Sequence, residues 1–201
     1  MNRFRTIALT SLAGLVLVAC GSSASGSPTP TAQPTLAPGQ SQAAVQPSFS
    51  AGLVADLEAL IPAKIGTITM TKSSMRGSDY LVSSGSDPAT IQFIHDLGVT
   101  PSDISMAIGS GADQTSGSFA FVFIVRAKGA SSDKLVSEFE TAMNKDATSP
   151  VQWTDSTVAG KHVRVAANAT GNTYVYAKGD TVFWIIATVQ KDAETVLSGL
   201  P

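Results

Sequence analysis

One cysteine, two histidines and a charged fraction of only 14% show what this 201-residue chain does without. A lone Cys20 excludes an internal disulfide and any zinc site built on several thiolates. His95 and His162 lie far apart, and neither has a second ligand at i+2 or i+4, so no metal site is expected and no cofactor is implied. Thirteen Lys and Arg stand against fifteen Asp and Glu without a basic cluster, which argues against nucleic acid as a partner. The longest apolar run near the start, Ile7 to Val18, is too short to cross about 30 Å of hydrocarbon as a permanent helix.

That run is nevertheless informative because of its neighbours. Arg3 and Arg5 precede it, and Leu17-Val18-Ala19-Cys20 closes it, the order of a basic, an apolar and a small-residue region in a secretory signal. The segment 1–20 resembles the bacterial lipoprotein precursor signal, in which a leucine and small residues precede a cysteine. The resemblance implies cleavage between Ala19 and Cys20, acylation of Cys20 (diacylglyceryl, with further palmitate-type acylation), and a membrane-anchored protein on the extracytoplasmic face. It covers residues 1–20 only. Cleavage removes Arg3 and Arg5, leaving 11 basic against 15 acidic residues and a formal charge of −4.

Residues 20–48 then form the lipidated cysteine and a linker of Ser, Pro, Thr, Ala, Gly and Gln, with Leu36 and Val45 as its only larger apolar residues and no charge at all. Such a composition cannot bury enough apolar surface to offset its ordering entropy, so disorder is expected. A flexible coil of this length has a mean reach of roughly 30 Å. Residues 49–201 are the size of one globular domain.

Within that domain the periodicities alternate between helix and strand. Ser50 to Ile61 reads as a helix with Ser50 as N-cap and Pro62 as its stop, and Ile65 to Lys72 as a half-buried strand whose hairpin partner is Tyr80 to Ser84 after a turn at 77–79. Asp87-Pro88 opens a helix that ends at Gly98. Ile104 to Ile108 reads as a strand and Gly109 to Ser118 as a loop. Phe119 to Val125 is apolar on both faces and should be a central strand covered twice. A helix over 131–146 follows, with Leu135, Val136, Phe139, Ala142 and Met143 on its stripe and Lys134, Glu138 and Lys145 away from it. Two hairpins come next, over 151–167 and 173–188, and Asp192 caps a last helix. The expected class is α+β, a single antiparallel sheet of about seven or eight strands with three or four packing helices. A short echo, acid then apolar helix then proline, joins Asp56–Pro62 to Asp192–Pro201 without amounting to a repeat.

No convergent catalytic motif emerges. Ser131-Ser132-Asp133-Lys134 has the S-x-x-K form, but Lys178-Gly179-Asp180 replaces K-T-G, S-D-N is missing, and a helix N-cap explains the serines better. Gly109-Ser110-Gly111 lacks the remainder of a phosphate loop, and Asn168-Ala169-Thr170 is a sequon without consequence in a bacterial protein. Glu138 and Glu140 read as outward-facing helix residues, and Asp79, Asp87, Asp103, Asp155 and Asp180 as turn or strand-end residues. No catalytic, cofactor or metal residue is therefore assigned. The expected function is a non-enzymatic binding or structural module. A hydrolase with a site assembled only in three dimensions is the alternative, and a solute-binding protein, normally about twice this size, a weaker one. The second face of the Phe119 to Val125 strand needs a cover: the helix at Ser50 to Ile61 and the longer loops complete a three-layer core, or else a protein partner, a second copy or a small apolar ligand covers it, the candidate partners beside the membrane itself. The oligomeric state stays open.

Overall fold

The computed structural model describes residues 49–84, 88–145, 150–168 and 171–201. The signal segment with Ala19 and Cys20, the linker to residue 48, and Asp87 all lie outside the described residues. In chain order the elements are α1 (Ala55–Leu60), β1 (Lys64–Ile65), β2 (Ile68–Thr69), β3 (Thr71–Arg76), α2 (Gly77–Ser84) and α3 (Pro88–Leu97). A 3₁₀ turn at Pro101–Asp103 leads into β4 (Ile104–Asp113), β5 (Ser118–Ala127) and α4 (Ser132–Lys145). The chain closes with β6 (Thr154–Val158), β7 (Lys161–Asn168), β8 (Gly171–Lys178), β9 (Thr181–Ala187) and α5 (Gln190–Gly199).

Seven strands form one antiparallel sheet in the order β3-β4-β5-β9-β8-β7-β6, and β1 pairs with β2 in a separate small hairpin. The fold is α+β. At the centre, β5 pairs with β9 so that Phe123 faces Trp184 and Val122 faces Ile185. Because side chains alternate across a strand, β5 sends Ala120, Val122 and Ile124 to one face and Phe121, Phe123 and Val125 to the other.

The first face is sealed. Leu57 and Ile61 of the α1 region, Ile65 and Ile68 of the small hairpin, and Ala193, Val196 and Leu197 of α5 form one core with Ala120, Val122, Ile124, Phe183 and Ile185, all of these at most 1% exposed. The second face carries α3 and α4, whose Leu97, Leu135 and Phe139 pack with Val125, Val175 and Val182. Helices on one side plus the α1 and α5 layer on the other make three layers.

Several local expectations are corrected by this packing. Ser50 does not cap a helix: it bridges to Ser74, and α1 starts only at Ala55, with the Val54 amide donating to the buried Ser74 hydroxyl at 2.7 Å. Lys72 donates to the carbonyls of Glu58 and Ile61 where α1 ends, a favourable place for a cation. The expected strand over 65–72 is broken by a turn at Gly66, whose φ of +58° suits glycine, into β1, β2 and the start of β3. The segment expected to turn at 77–79 and pair as a strand is the helix α2. A Cβ on Gly77 would sit 2.6 Å from the Pro101 carbonyl oxygen, so glycine lets this helix start hard against the next layer. The expected loop over 109–118 is mostly strand, since β4 continues to Asp113. Its glycines serve contact: a Cβ on Gly109 would lie 2.6 Å from Ile61 Cγ2, and one on Gly111 would lie 2.4 Å from the Thr69 carbonyl oxygen. Finally, α5 begins two residues before Asp192, which lies in its first turn instead of capping it. The two echo segments both fall against the sealed face, but one precedes the sheet's strands and the other ends the chain.

Candidate functional site

The second face of the sheet is incompletely covered. Helix α3 is followed by Gly98 at φ +73° and leads through the 3₁₀ turn into β4, whereas α4 leaves the end of β5 and runs back over β8 and β9. The two helices pack against one another, yet together they leave part of the β4, β5 and β9 strip beneath them uncovered. The result is a groove of about 880 Å³, within the range typical of small-molecule sites.

Its floor is built from Met106 and Ile108 of β4, Phe121 and Phe123 of β5, and Trp184 of β9. Phe139 of α4 and Phe93 of α3 stand as walls, and Phe49, where the described domain begins, contributes at the β3 side. Trp184 holds the floor together. Its ring meets Phe121 at 5.7 Å, Phe123 at 6.2 Å and Phe139 at 5.5 Å between centroids, each edge to face, the arrangement that aromatic quadrupoles favour. Its indole Nε1, like that of Trp153 outside the groove, is buried with no hydrogen-bond partner among the described residues, at a cost of about 1–3 kcal/mol. Met106, Ile108, Phe121, Phe123 and Trp184 are each only half-buried, and Phe119 at the strand's start is 37% exposed.

Polar groups line the upper rim: Thr90, Gln92 and Asp96 on α3, and Glu138, Thr141 and Lys145 on α4. Asp96 accepts from Gln92 Nε2 at 2.6 Å and lies 3.3 Å from His95 Nδ1. Glu138 and Lys145 have no hydrogen-bond or ion-pair partner among the described residues. The sequence pattern put both away from the buried stripe of α4, and the structure turns them toward the groove's edge.

The groups with displaced titration lie elsewhere. Asp113 is held down to about 2 by the Thr67 hydroxyl at 2.6 Å and the Thr115 amide at 2.9 Å. Asp103 is lowered by the hydroxyl and amide of Thr100 in the turn before β4. Asp56 is lowered by Arg126, 2.5 Å away, and Arg164 is raised by Glu140 at 2.7 Å and Asp155 at 3.1 Å. Asp103 caps its own turn, the others belong to contacts that tie two elements together, and none of the four lines the groove.

The residues weighed from sequence do not converge. The His95 side chain is 81% exposed and His162 is exposed on β7. Ser131 caps α4 through the Lys134 amide at 3.4 Å, and Ser132 donates to the Gly179 carbonyl at 2.8 Å, so the S-x-x-K segment is a helix start. Glu140 faces Arg164 instead of solvent. Residues 169 and 170 of the sequon lie outside the described residues. Among the described residues no cluster of His, Cys, Asp and Glu could hold a metal ion, and no helix is long and apolar enough to cross a membrane. Sequence reasoning missed Trp184 and the α4 rim. The usable signal was the segregation of β5, with three phenylalanines on one face and Ala, Val and Ile on the other. No known protein family, characterised protein or solved structure matches the chain.

Proposed function

We propose that the chain is an extracytoplasmic, membrane-tethered binding module, lipidated on Cys20, that holds an apolar guest in the groove between α3 and α4. The observation that carries the reading is the half-buried aromatic floor, Phe121, Phe123 and Trp184, over a volume of about 880 Å³. Completed cores do not leave such side chains facing an open hollow, and exposed apolar patches of this kind mark interaction sites. Binding is favoured over catalysis because the displaced carboxylates and Arg164 serve contacts outside the groove. The tether reading rests on the signal pattern ending at Cys20 and on the uncharged linker after it.

Two measurements test the two halves. Mass spectrometry of the mature protein should find acyl chains on Cys20, and Cys20→Ser should release the protein from membranes; an unmodified residue 20 refutes the anchor. For the groove, an environment-sensitive apolar dye should brighten with the native chain, and Ala142→Phe, which adds a ring at the α4 wall, should weaken binding about tenfold. A dye that stays dark with the folded native chain refutes the groove reading.

A further inference from the structure

We infer that the guest is a diacyl glycerolipid with a zwitterionic or neutral head, taken from the bilayer that carries the protein's own anchor. This rests on the reading of the groove as an apolar-ligand site. The first argument is shape. The floor extends along β4 from Ile104 to Ile108 and along β5 from Phe121 to Val125, four steps of about 3.3 Å, hence roughly 13 Å. It reaches across β4, β5 and β9, three strands about 4.8 Å apart and so roughly 10 Å wide. An extended chain of single bonds advances about 1.2 Å per bond, so around ten bonds of each acyl chain fit along the trough. The width leaves room for two such chains side by side. A compact ring system would not need that length.

The second argument is polarity. Met106, Ile108, Phe121, Phe123 and Val125 offer nothing to a polar guest, and the one polar atom among the floor side chains, Trp184 Nε1, is itself buried. The polar groups sit only at the rim, as an amphiphile requires. There, Glu138 and Lys145 lack partners among the described residues. Seven residues apart on α4, they are two turns or about 10 Å from one another. With Asp96, the rim carries two carboxylates and one ammonium, a mixed set that complements a head bearing both charges and does not select for a purely anionic one.

The third argument is supply. The linker that follows Cys20 joins the domain at Phe49, and Phe49 is part of the groove wall. Acylation at Cys20, proposed above, would attach the chain to a bilayer 29 residues before that wall, which makes the same bilayer the nearest source of an apolar guest. Moving an acyl chain from a bilayer to the trough exchanges one apolar surrounding for another and is near neutral, so the guest is exchanged between membrane and groove and not irreversibly captured.

Trp184 reports on this directly, because the chain has only two tryptophans. Full-length anchored protein carrying Trp153→Phe would be placed in vesicles of phosphatidylethanolamine whose acyl chains carry bromine, a contact quencher of indole emission. Trp184 should be quenched relative to unbrominated vesicles, and Ala142→Phe should raise the lipid fraction needed about tenfold. If Trp153→Phe does not fold, the same difference is read on the native chain. Equal quenching in Ala142→Phe overturns the inference, since contact would then be with the bilayer surface. Stronger quenching by brominated phosphatidylglycerol overturns the head assignment. No quenching in a chain that still brightens the apolar dye overturns the lipid and leaves the groove reading standing, whereas failure of both removes the groove reading as well. A chain that sediments as a dimer, and as a monomer once Ala142→Phe is made, shows that a second copy occupies the floor and also overturns it.

Discussion

The two faces of the sheet are made by the same strands and end in opposite conditions. On the α1 and α5 side, small residues (Ala107, Gly109, Gly111, Ala120) let the covering layer descend until Ile61, Ile65 and Ile68 are at most 1% exposed. On the α3 and α4 side, Met106, Ile108, Phe121, Phe123 and Trp184 stand up from the sheet under an incomplete cover. The lesson is that apolar character alone does not make a core. Matched volumes and a close approach do, and where large side chains stand under helices that do not descend onto them the same hydrophobicity leaves a groove.

The largest expected effect separates the faces by truncation. Ile124→Ala removes a fully buried side chain from the sealed face and should cost about 2–5 kcal/mol, read as a lower urea midpoint with unchanged slope. Phe121→Ala, although it removes more atoms, only enlarges a hollow that already exists, and should cost about half as much or less. Equal losses would mean that the groove is closed in solution.

The next effect comes from adding atoms. Gly111→Ala places a methyl 2.4 Å from the Thr69 carbonyl oxygen and 2.6 Å from Ile68 Cγ2, and backbone cannot step aside as a side-chain tip can, so a loss of about 1–3 kcal/mol is expected. Ser110→Ala, one residue back and exposed toward the other face, should stay within about 0.5 kcal/mol. Thermal melts of the pair suffice, and a neutral Gly111→Ala would mean that the β1–β2 hairpin does not press on β4 as described.

How far the sequence could be read follows the same division. Elements set by local rules were legible: α3 ends against Gly98, and the hairpin expected over 151–167 forms as β6 paired with β7. The need for two covers over β5 was also visible in seven consecutive apolar residues. What failed depended on distant neighbours. Gly109 and Gly111 look like loop residues until Ile61 and Thr69 are known to lie above them, and α2 looks like a turn and strand until Pro101 and Ile104 are placed against Gly77. The groove was illegible for a related reason. Its shape depends on how α3 and α4 sit together over the sheet, and no periodicity within either helix encodes that.

The smallest expected effect concerns what clips the sealed face shut. Asp113, at the end of β4, accepts from the hydroxyl of Thr67 in the turn between β1 and β2, so one carboxylate pins the small hairpin to the sheet. That contact favours the charged form, which is why Asp113 titrates near 2 in the folded chain and not at its ordinary 3.8. A lowered folded value means that the stabilisation is fully present above the unfolded value and is lost as pH falls from about 4 through about 2. In that window the amides of β2 should exchange faster and the sealed face should begin to admit an apolar dye, converging on the behaviour of the groove face. Asp113→Asn cannot titrate, so it should flatten this particular step while leaving the broader acid response of Asp56 and Asp103 in place. A hairpin that loosens over the same pH range in Asp113→Asn would show that the titrating clip lies elsewhere.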